Sequence, residues 1–102
     1  MQQYPLNRPL GAQTSAPITT SATTEIASGS ATVFSGLLVN TAGSAWNAEI
    51  YNGNPASGGV LLATIPADAV GAVACPLLAC PNGLYIVTAG TTAGSINVAY
   101  YL

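Results

Sequence analysis

Charged side chains are almost missing from this chain of 102 residues. It contains no Lys and no His, and its four charged residues are Arg8, Glu25, Glu49 and Asp68. In an average soluble domain about a quarter of the residues are charged. Small neutral residues take their place, because Ala (18), Gly (11), Thr (11), Ser (8) and Asn (7) make up more than half of the sequence.

The lack of basic residues excludes two classes of partner. Proteins need Lys and Arg to displace counterions from the phosphates of nucleic acid, and they need the same residues to bind an anionic membrane surface. With one Arg and a net charge of −2, the sequence predicts neither a nucleic acid nor a membrane partner. A net charge so close to zero also favours association between proteins. We therefore expect much of the surface to contact other chains.

Long apolar segments are missing as well. The longest apolar stretch covers residues 69–80 and is interrupted by Pro76, whereas a membrane-spanning helix needs roughly 20 residues. The first nine residues lack the basic and apolar regions of a secretory signal. The sequence therefore predicts a soluble protein made in the cytoplasm, unless processing has removed a signal.

Residues that perform catalysis or bind metals are sparse. Without His or Lys, a Ser or Thr nucleophile has no base, and a Cys nucleophile has no activating partner. Glu25, Glu49 and Asp68 fall on separate predicted elements, so no catalytic carboxylate pair is expected. Three scattered acids and two cysteines do not make a metal site. We predict that the protein is not an enzyme and has no cofactor and no metal.

The two cysteines allow two interpretations. Cys75 and Cys80 are five residues apart, and a disulfide could close a small loop if the chain turned at Pro76. Free Cys is among the most buried residue types. We favour the second interpretation, two small buried apolar side chains.

Short runs of strand-forming residues, separated by turn residues, fill the chain from residue 16 onward. Thr, Val and Ile are frequent in these runs, and several alternate between apolar and polar residues, which is typical of strands. The seven runs cover residues 17–27, 30–40, 46–51, 60–65, 70–79, 84–88 and 96–102. We predict an all-β fold, a single antiparallel β-sandwich or jelly-roll-like barrel of about seven strands over residues 16–102.

Individual residues add detail to this prediction. Gly36 indicates a bulge or bend. Pro76 indicates that its strand lies at an edge or stops there, because Pro cannot donate a ladder hydrogen bond. The continuous apolar run 60–65 predicts a strand buried on both faces, and Asn82-Gly83 is a strong hairpin signal. Residues 67–74 are the one helix candidate, which we disfavour.

The sequence Thr-Ala-Gly-Ser occurs twice, at residues 41–44 and 92–95. Gly supplies the backbone freedom that tight turns need. Convergence on one turn sequence therefore explains the repeat more simply than duplication does.

Both chain ends are candidates for contacts with other chains. Residues 1–15 contain two prolines and the one Arg but no apolar periodicity, which predicts an extended N-terminal arm, although a frayed terminus is the alternative. The apolar content of the arm and of the last three residues exceeds what a simple tail needs. The predicted subunit or capsid contacts are Tyr4, Leu6, Arg8, Leu10, Tyr100, Tyr101 and Leu102.

Edge protection leads to the same expectation. Monomeric sheet proteins guard their exposed edges with Lys, Pro or bulges. This chain has no Lys, so protection must come from Pro17, Pro66, Pro76, bulges or coverage by other chains. Of these, coverage of the edges by other chains agrees best with the low charge of the sequence.

Residues 30–102 resemble the small β-rich decoration, or cement, proteins and related head proteins of tailed bacteriophages. The resemblance rests on strand and turn sequences, namely GLLVNTAG at 36–43, EIYNG at 49–53, LATIP at 62–66, NGLYIVTAG at 82–90 and GSINVAY at 94–100. It implies a compact β-sandwich or jelly roll that binds the major capsid protein on the outside of a virion, commonly as a homotrimer. It also implies a role in stapling neighbouring capsomers through contact area alone.

Two alternatives stay open. A phage tail, head-fibre or receptor-binding component would share this composition. A cell-surface carbohydrate-binding adhesin module is the other alternative, with aromatic side chains as the sugar-stacking face. The aromatic candidates for that face are Trp46, Tyr51, Tyr85, Tyr100 and Tyr101.

Overall fold

The structure is a computed structural model that describes residues 12–102. Its eight strands are β1 (Ala12–Thr14), β2 (Thr23–Ala27), β3 (Val33–Thr41), β4 (Ser44–Asn52), β5 (Val60–Pro66), β6 (Gly71–Ala79), β7 (Leu84–Thr92) and β8 (Ser95–Tyr101). A single 3₁₀ turn, Pro55–Ser57, lies between β4 and β5. The strands form two four-stranded antiparallel sheets, which we call sheet I (β1-β8-β3-β6) and sheet II (β2-β7-β4-β5).

The strand order is that of a jelly roll. β1 pairs with β8, β2 with β7, β3 with β6, and β4 with β5, as if one long hairpin had been rolled up. Two further pairings, β3 with β8 and β4 with β7, join these strand pairs into the two four-stranded sheets. The predicted fold class is confirmed, with eight strands in the described residues rather than about seven.

A single apolar core fills the space between the sheets. Alternate residues of the central strands point inward, and the largest fully buried side chains are Phe34 and Leu37 on β3 and Trp46 and Ile50 on β4. The Trp46 Nε1 donates a hydrogen bond to Ser21 Oγ at 3.1 Å, so its polar atom is paired. Both sheets therefore contribute equally large side chains to the same interior.

The two Thr-Ala-Gly-Ser sequences make equivalent turns that lie side by side. Each carries the chain from one sheet to the other, from β3 to β4 and from β7 to β8. Thr41 pairs with Ser95, and Ser44 pairs with Thr92. A Cβ added to Gly94 would lie 2.0 Å from the carbonyl oxygen of Thr41. Glycine is therefore required here because the two turns approach so closely.

Two sequence predictions about local structure are wrong. The run 60–65 forms β5 at the edge of sheet II, where Ile65 is its one buried residue, so it is not buried on both faces. Asn82-Gly83 does form a turn, in which the Gly83 N donates to the Cys80 carbonyl at 2.9 Å. That turn joins β6 of sheet I to β7 of sheet II, so it is a crossing between sheets and not a hairpin. Strand β1 occupies the end of the predicted extended arm, residues 1–15, and pairs with β8, whereas residues 1–11 of that arm lie outside the described residues.

Other local predictions are confirmed. β6 is an edge strand, and its pairing with β3 shifts register opposite Phe34 and Gly36, so that Pro76 lies in an irregular segment without a regular partner. Gly36 lies at this bulge. Residues 71–74 belong to β6, and the disfavoured helix over 67–74 is not formed.

Candidate interaction surfaces

The outer face of sheet I carries no charge. Its four strands contain no Asp, Glu, Lys or Arg. Outward-pointing side chains are small, amide or apolar, and we call this surface the neutral face. It consists of Thr14, Val33, Leu38, Asn40, Ala72, Asn97, Ala99 and Tyr101.

Hydrogen bonds between neutral groups organise one part of this face. Asn40 Nδ2 donates to Asn97 Oδ1, and Asn97 Nδ2 donates to the Ser15 carbonyl at 2.7 Å. The Ser15 Oγ accepts from the backbone N of Val98 at 2.9 Å. Leu38 lies in register between Ala72 and Asn97 and is 39% exposed. The surface thus offers apolar area beside a fixed amide network, with no charged side chain of its strands to desolvate.

Exposed apolar side chains concentrate along one side of the sandwich, where β5 and β6 are the outermost strands. Val60 and Leu61 on β5, Leu77 on β6, and Val70 just before β6 are each between 48% and 69% exposed. Asp68 is the one charged residue between the start of β5 and the end of β6. β6 contains Pro76 and a bulge. β5 ends at Pro66 and shifts register against β4 at Leu62, but it carries no charged residue. We call this side the β5–β6 edge.

The outer face of sheet II is different, because both glutamates lie on it. Glu25 on β2, Tyr85 on β7, Tyr51 on β4 and Leu61 on β5 are register partners in one row across all four strands. Glu49 lies two residues before Tyr51 on the same face of β4. We call this set the tyrosine row: Glu25, Glu49, Tyr51, Leu61 and Tyr85.

Each tyrosine of the row is bonded to one glutamate. The Tyr51 hydroxyl donates to Glu49 Oε1 at 3.3 Å, and the Tyr85 hydroxyl donates to Glu25 Oε2 at 3.2 Å. Partial burial raises the pKa of Tyr51, and the nearby Glu49 raises it further. The pKa of Tyr85 is raised in the same way, by partial burial and by Glu25. Both hydroxyls are therefore protonated donors at neutral pH.

Sequence reasoning missed the tyrosine row. It placed Glu25 and Glu49 on separate elements, which is correct, but the strand order β2-β7-β4 brings both carboxylates to one face. The five aromatic residues do not form a common sugar-stacking face. Trp46 is fully buried, Tyr100 packs against the core, and Tyr101 lies on the neutral face, which leaves Tyr51 and Tyr85 together.

The predicted contact residues at the chain ends have separate positions. Tyr4, Leu6, Arg8 and Leu10 lie outside the described residues. Tyr101 and Leu102 are exposed, at 40% and 56%, on the sheet I side. Tyr100 is half-buried, packs against the core and lines a cleft between the β1 and β2 edges, together with Thr14, Ile18 and Glu25. Tyr101 and Leu102 remain predicted contacts, whereas Tyr100 contributes mainly to packing.

Both thiols are free, and the favoured interpretation of two buried side chains is confirmed for Cys80 but only in part for Cys75. Cys80 is fully buried in the core, and Cys75 is half-buried against it. Desolvation raises the pKa of each thiol; for Cys80 a backbone hydrogen bond partly opposes that effect. Neither thiol is an activated nucleophile, because activation requires a lowered pKa.

Over residues 12–102, the structure contains no group of three or more His, Cys, Asp or Glu side chains arranged to hold a metal ion. The same part of the chain contains no helix long and apolar enough to cross a membrane. No family model, curated protein or solved structure matches the chain.

Proposed function

We propose that this chain is a non-enzymatic structural protein of a virion, a decoration or cement protein that binds the outer surface of a capsid and stabilises contacts between capsomers. The observation that carries the proposal is the absence of charge from all four strands of sheet I. A neutral face is inexpensive to desolvate, because no ionised group must lose its water. The phage decoration proteins that the sequence resembles supply the kind of partner, the major capsid protein.

The β5–β6 edge supports the same proposal. Four large apolar side chains are exposed there, and the outer backbone groups of β5 are protected by a bulge at Leu62 but by no charged residue. Natural proteins usually protect such edges, since an unprotected strand pairs readily with another chain. A protein that works in an assembled state can leave this edge open. The jelly-roll order is compatible, because viral capsid domains use it, but so do lectins and cupins, so the fold alone does not decide.

Repetition over a shell would give weak contacts sufficient strength. If the protein is a homo-oligomer, as the resemblance implies, linked contacts raise the effective concentration of each site. Small neutral surfaces of this kind can then hold neighbouring capsomers together without a single strong contact.

The test is the composition of purified particles from the source of this sequence. Quantitative mass spectrometry should find this chain in a fixed ratio to the main shell subunit, with enough copies to cover the capsid. A few copies per particle that fractionate with tails or fibres would instead support the tail or receptor-binding alternative. Absence from the particles would overturn both.

A further inference from the structure

We propose that the tyrosine row binds the N-terminal arm of a second copy of this chain, with Arg8 placed between the two glutamates. This inference rests on the proposed assembly role and names the contact by which copies would associate.

The row has the chemistry of a site for a guanidinium group. Tyr51 and Tyr85 are directly opposite each other on neighbouring strands, and side chains at such positions are about 5 Å apart at Cβ. Two half-buried aromatic side chains therefore adjoin in the middle of the sheet. Arg stacks on aromatic faces and bonds carboxylates with its planar fork of donors.

Each carboxylate of the row can accept further hydrogen bonds. Each tyrosine hydroxyl bonds one oxygen of its glutamate, and the other oxygen of each glutamate accepts no hydrogen bond from the described residues. Residues 12–102 include no Lys or Arg, so neither carboxylate has a basic partner in that part of the chain. In a solution of this protein alone, Arg8 is the one side chain that can provide a cation.

An extended arm would present alternate side chains to the row. Tyr4, Leu6, Arg8 and Leu10 are separated by two residues each, so in an extended bound arm they would share one side, about 6.6 Å apart. With Arg8 over Tyr51 and Tyr85, a neighbouring Leu of the arm would reach Leu61, which is 48% exposed at the end of the row. The arm would thus cover apolar surface of the β5–β6 edge as well as charge.

Distance favours the arm of another copy over the chain's own arm. The described chain begins at Ala12, on the β1 edge of sheet I. Four residues separate Ala12 from Arg8 and span at most about 14 Å. Crossing from sheet I to sheet II and then two strands inward to β4 requires about 20 Å, from the usual sheet and strand spacings. A segment whose backbone spans at most about 14 Å cannot lie along the row of its own chain, so we assign the row to the arm of another copy.

The experiment measures self-association of the full chain by sedimentation velocity over a range of concentrations, without any capsid. Arg8→Gln and the double variant Glu25→Gln/Glu49→Gln should each raise the dissociation constant about five- to tenfold, the effect expected for one exposed cation–aromatic and carboxylate contact. Asp68→Asn is the matched control, because it removes an acid outside the row and should change the constant less than twofold. Urea unfolding of each variant verifies that the fold is intact.

Mixing two variants tests exchange between copies. Arg8→Glu copies and Glu25→Lys/Glu49→Lys copies should each associate poorly alone and should associate with each other when mixed, because the charges are exchanged.

Several results would overturn the inference: a monomer at all concentrations, unchanged association of Arg8→Gln, equal weakening by Asp68→Asn, or no association in the mixture. Saccharide binding at Tyr51 and Tyr85 with unaffected self-association would assign the row to sugar recognition instead. Particle binding by Arg8→Gln is measured separately, so a failure of this contact leaves the proposed capsid role to be judged on its own evidence.

Discussion

The two sheets of this jelly roll are alike inside and different outside. Their inner faces supply the same kind of large apolar side chain to one core, with Phe34 from sheet I and Trp46 from sheet II both fully buried. Their outer faces diverge, because sheet I carries no charge and sheet II carries Glu25 and Glu49 beside Tyr85 and Tyr51. The scarcity of charge in the sequence is therefore not evenly distributed. It leaves one whole sheet neutral and places two of the three acids on the other.

The contrast between the two outer faces indicates where specificity resides in a nearly uncharged protein. A neutral surface binds through area and shape, which many surfaces can satisfy, whereas charge complementarity rejects wrong partners and fixes orientation. Sheet I can provide area, and the tyrosine row can provide orientation. If both proposals are correct, the two faces have separate tasks, contact with the shell and contact between copies.

The largest predicted effect is on the free energy of unfolding, when a large core side chain is removed from either inner face. Phe34→Ala and Trp46→Ala should each lower the free energy of unfolding by about 3–5 kcal/mol, because each removes a fully buried aromatic side chain and leaves a cavity. Urea denaturation followed by circular dichroism measures both. A loss below about 1 kcal/mol for either variant would mean that its sheet contributes much less to the core than the structure indicates.

The turns that join the sheets give the next largest effect. Gly94→Ala should destabilise by about 1–3 kcal/mol, as overpacking does, since its Cβ would lie 2.0 Å from the Thr41 carbonyl oxygen. Gly29→Ala is the control, because there the nearest atom to the added Cβ is Thr32 Oγ1 at 3.6 Å, an ordinary contact. Equal melting temperatures for the two variants would contradict the close packing of the two Thr-Ala-Gly-Ser turns.

The sequence allowed the strands to be located but not assigned to sheets. Alternation at Trp46, Ala48 and Ile50 and the turn residues between runs are local signals, and they identified most of the strands. Whether a turn closes a hairpin or crosses between sheets depends on tertiary packing, so Asn82-Gly83 predicts a turn but not which strands it joins. The apolar run 60–65 is ambiguous for the same reason, because an exposed edge strand and a buried strand can have the same sequence.

The tyrosine row shows the same limit at the level of a site. Glu25, the neighbouring pair Glu49 and Tyr51, and Tyr85 lie far apart in sequence, and none belongs to a recognisable catalytic or binding motif. Only the order β2-β7-β4 brings them to one face, and that order follows from the rolling of the whole chain. Pro76 was predictable as an edge residue because its constraint is covalent and local.

A matched pair of charge insertions tests the outer faces. Ala72 on the neutral face and Ala89 on the outer face of β7 are both exposed. Ala72→Glu should weaken binding to stripped particles about tenfold or more, because a carboxylate would be buried at the contact without a partner. Ala89→Glu should bind nearly as well as the natural chain. Equal binding by both variants would remove the distinction between the faces that the proposed function requires.

The smallest expected effect is a loss of folding stability at alkaline pH. Cysteines on the sheet I side and tyrosines of sheet II contribute to it in different pH ranges. The pKa values of Cys75 and Cys80, in and just after β6 of sheet I, and of Tyr51 and Tyr85, in sheet II, are all raised in the folded protein. A raised folded pKa means that the unfolded chain loses its proton first, so stability is fully present below the unfolded pKa and falls as pH rises through the folded pKa.

Because the ordinary values are 9.0 for Cys and 10.0 for Tyr, urea denaturation at successive pH values should show constant contributions from these groups up to about pH 8 and a decline above it. The decline should begin with the thiols and deepen as the tyrosines titrate. The double variant Tyr51→Phe/Tyr85→Phe should remove the later part and leave the earlier part, since it keeps both rings and both thiols. Stability that rises between pH 8 and pH 10 would contradict the partial burial of these groups, because only lowered pKa values produce that slope.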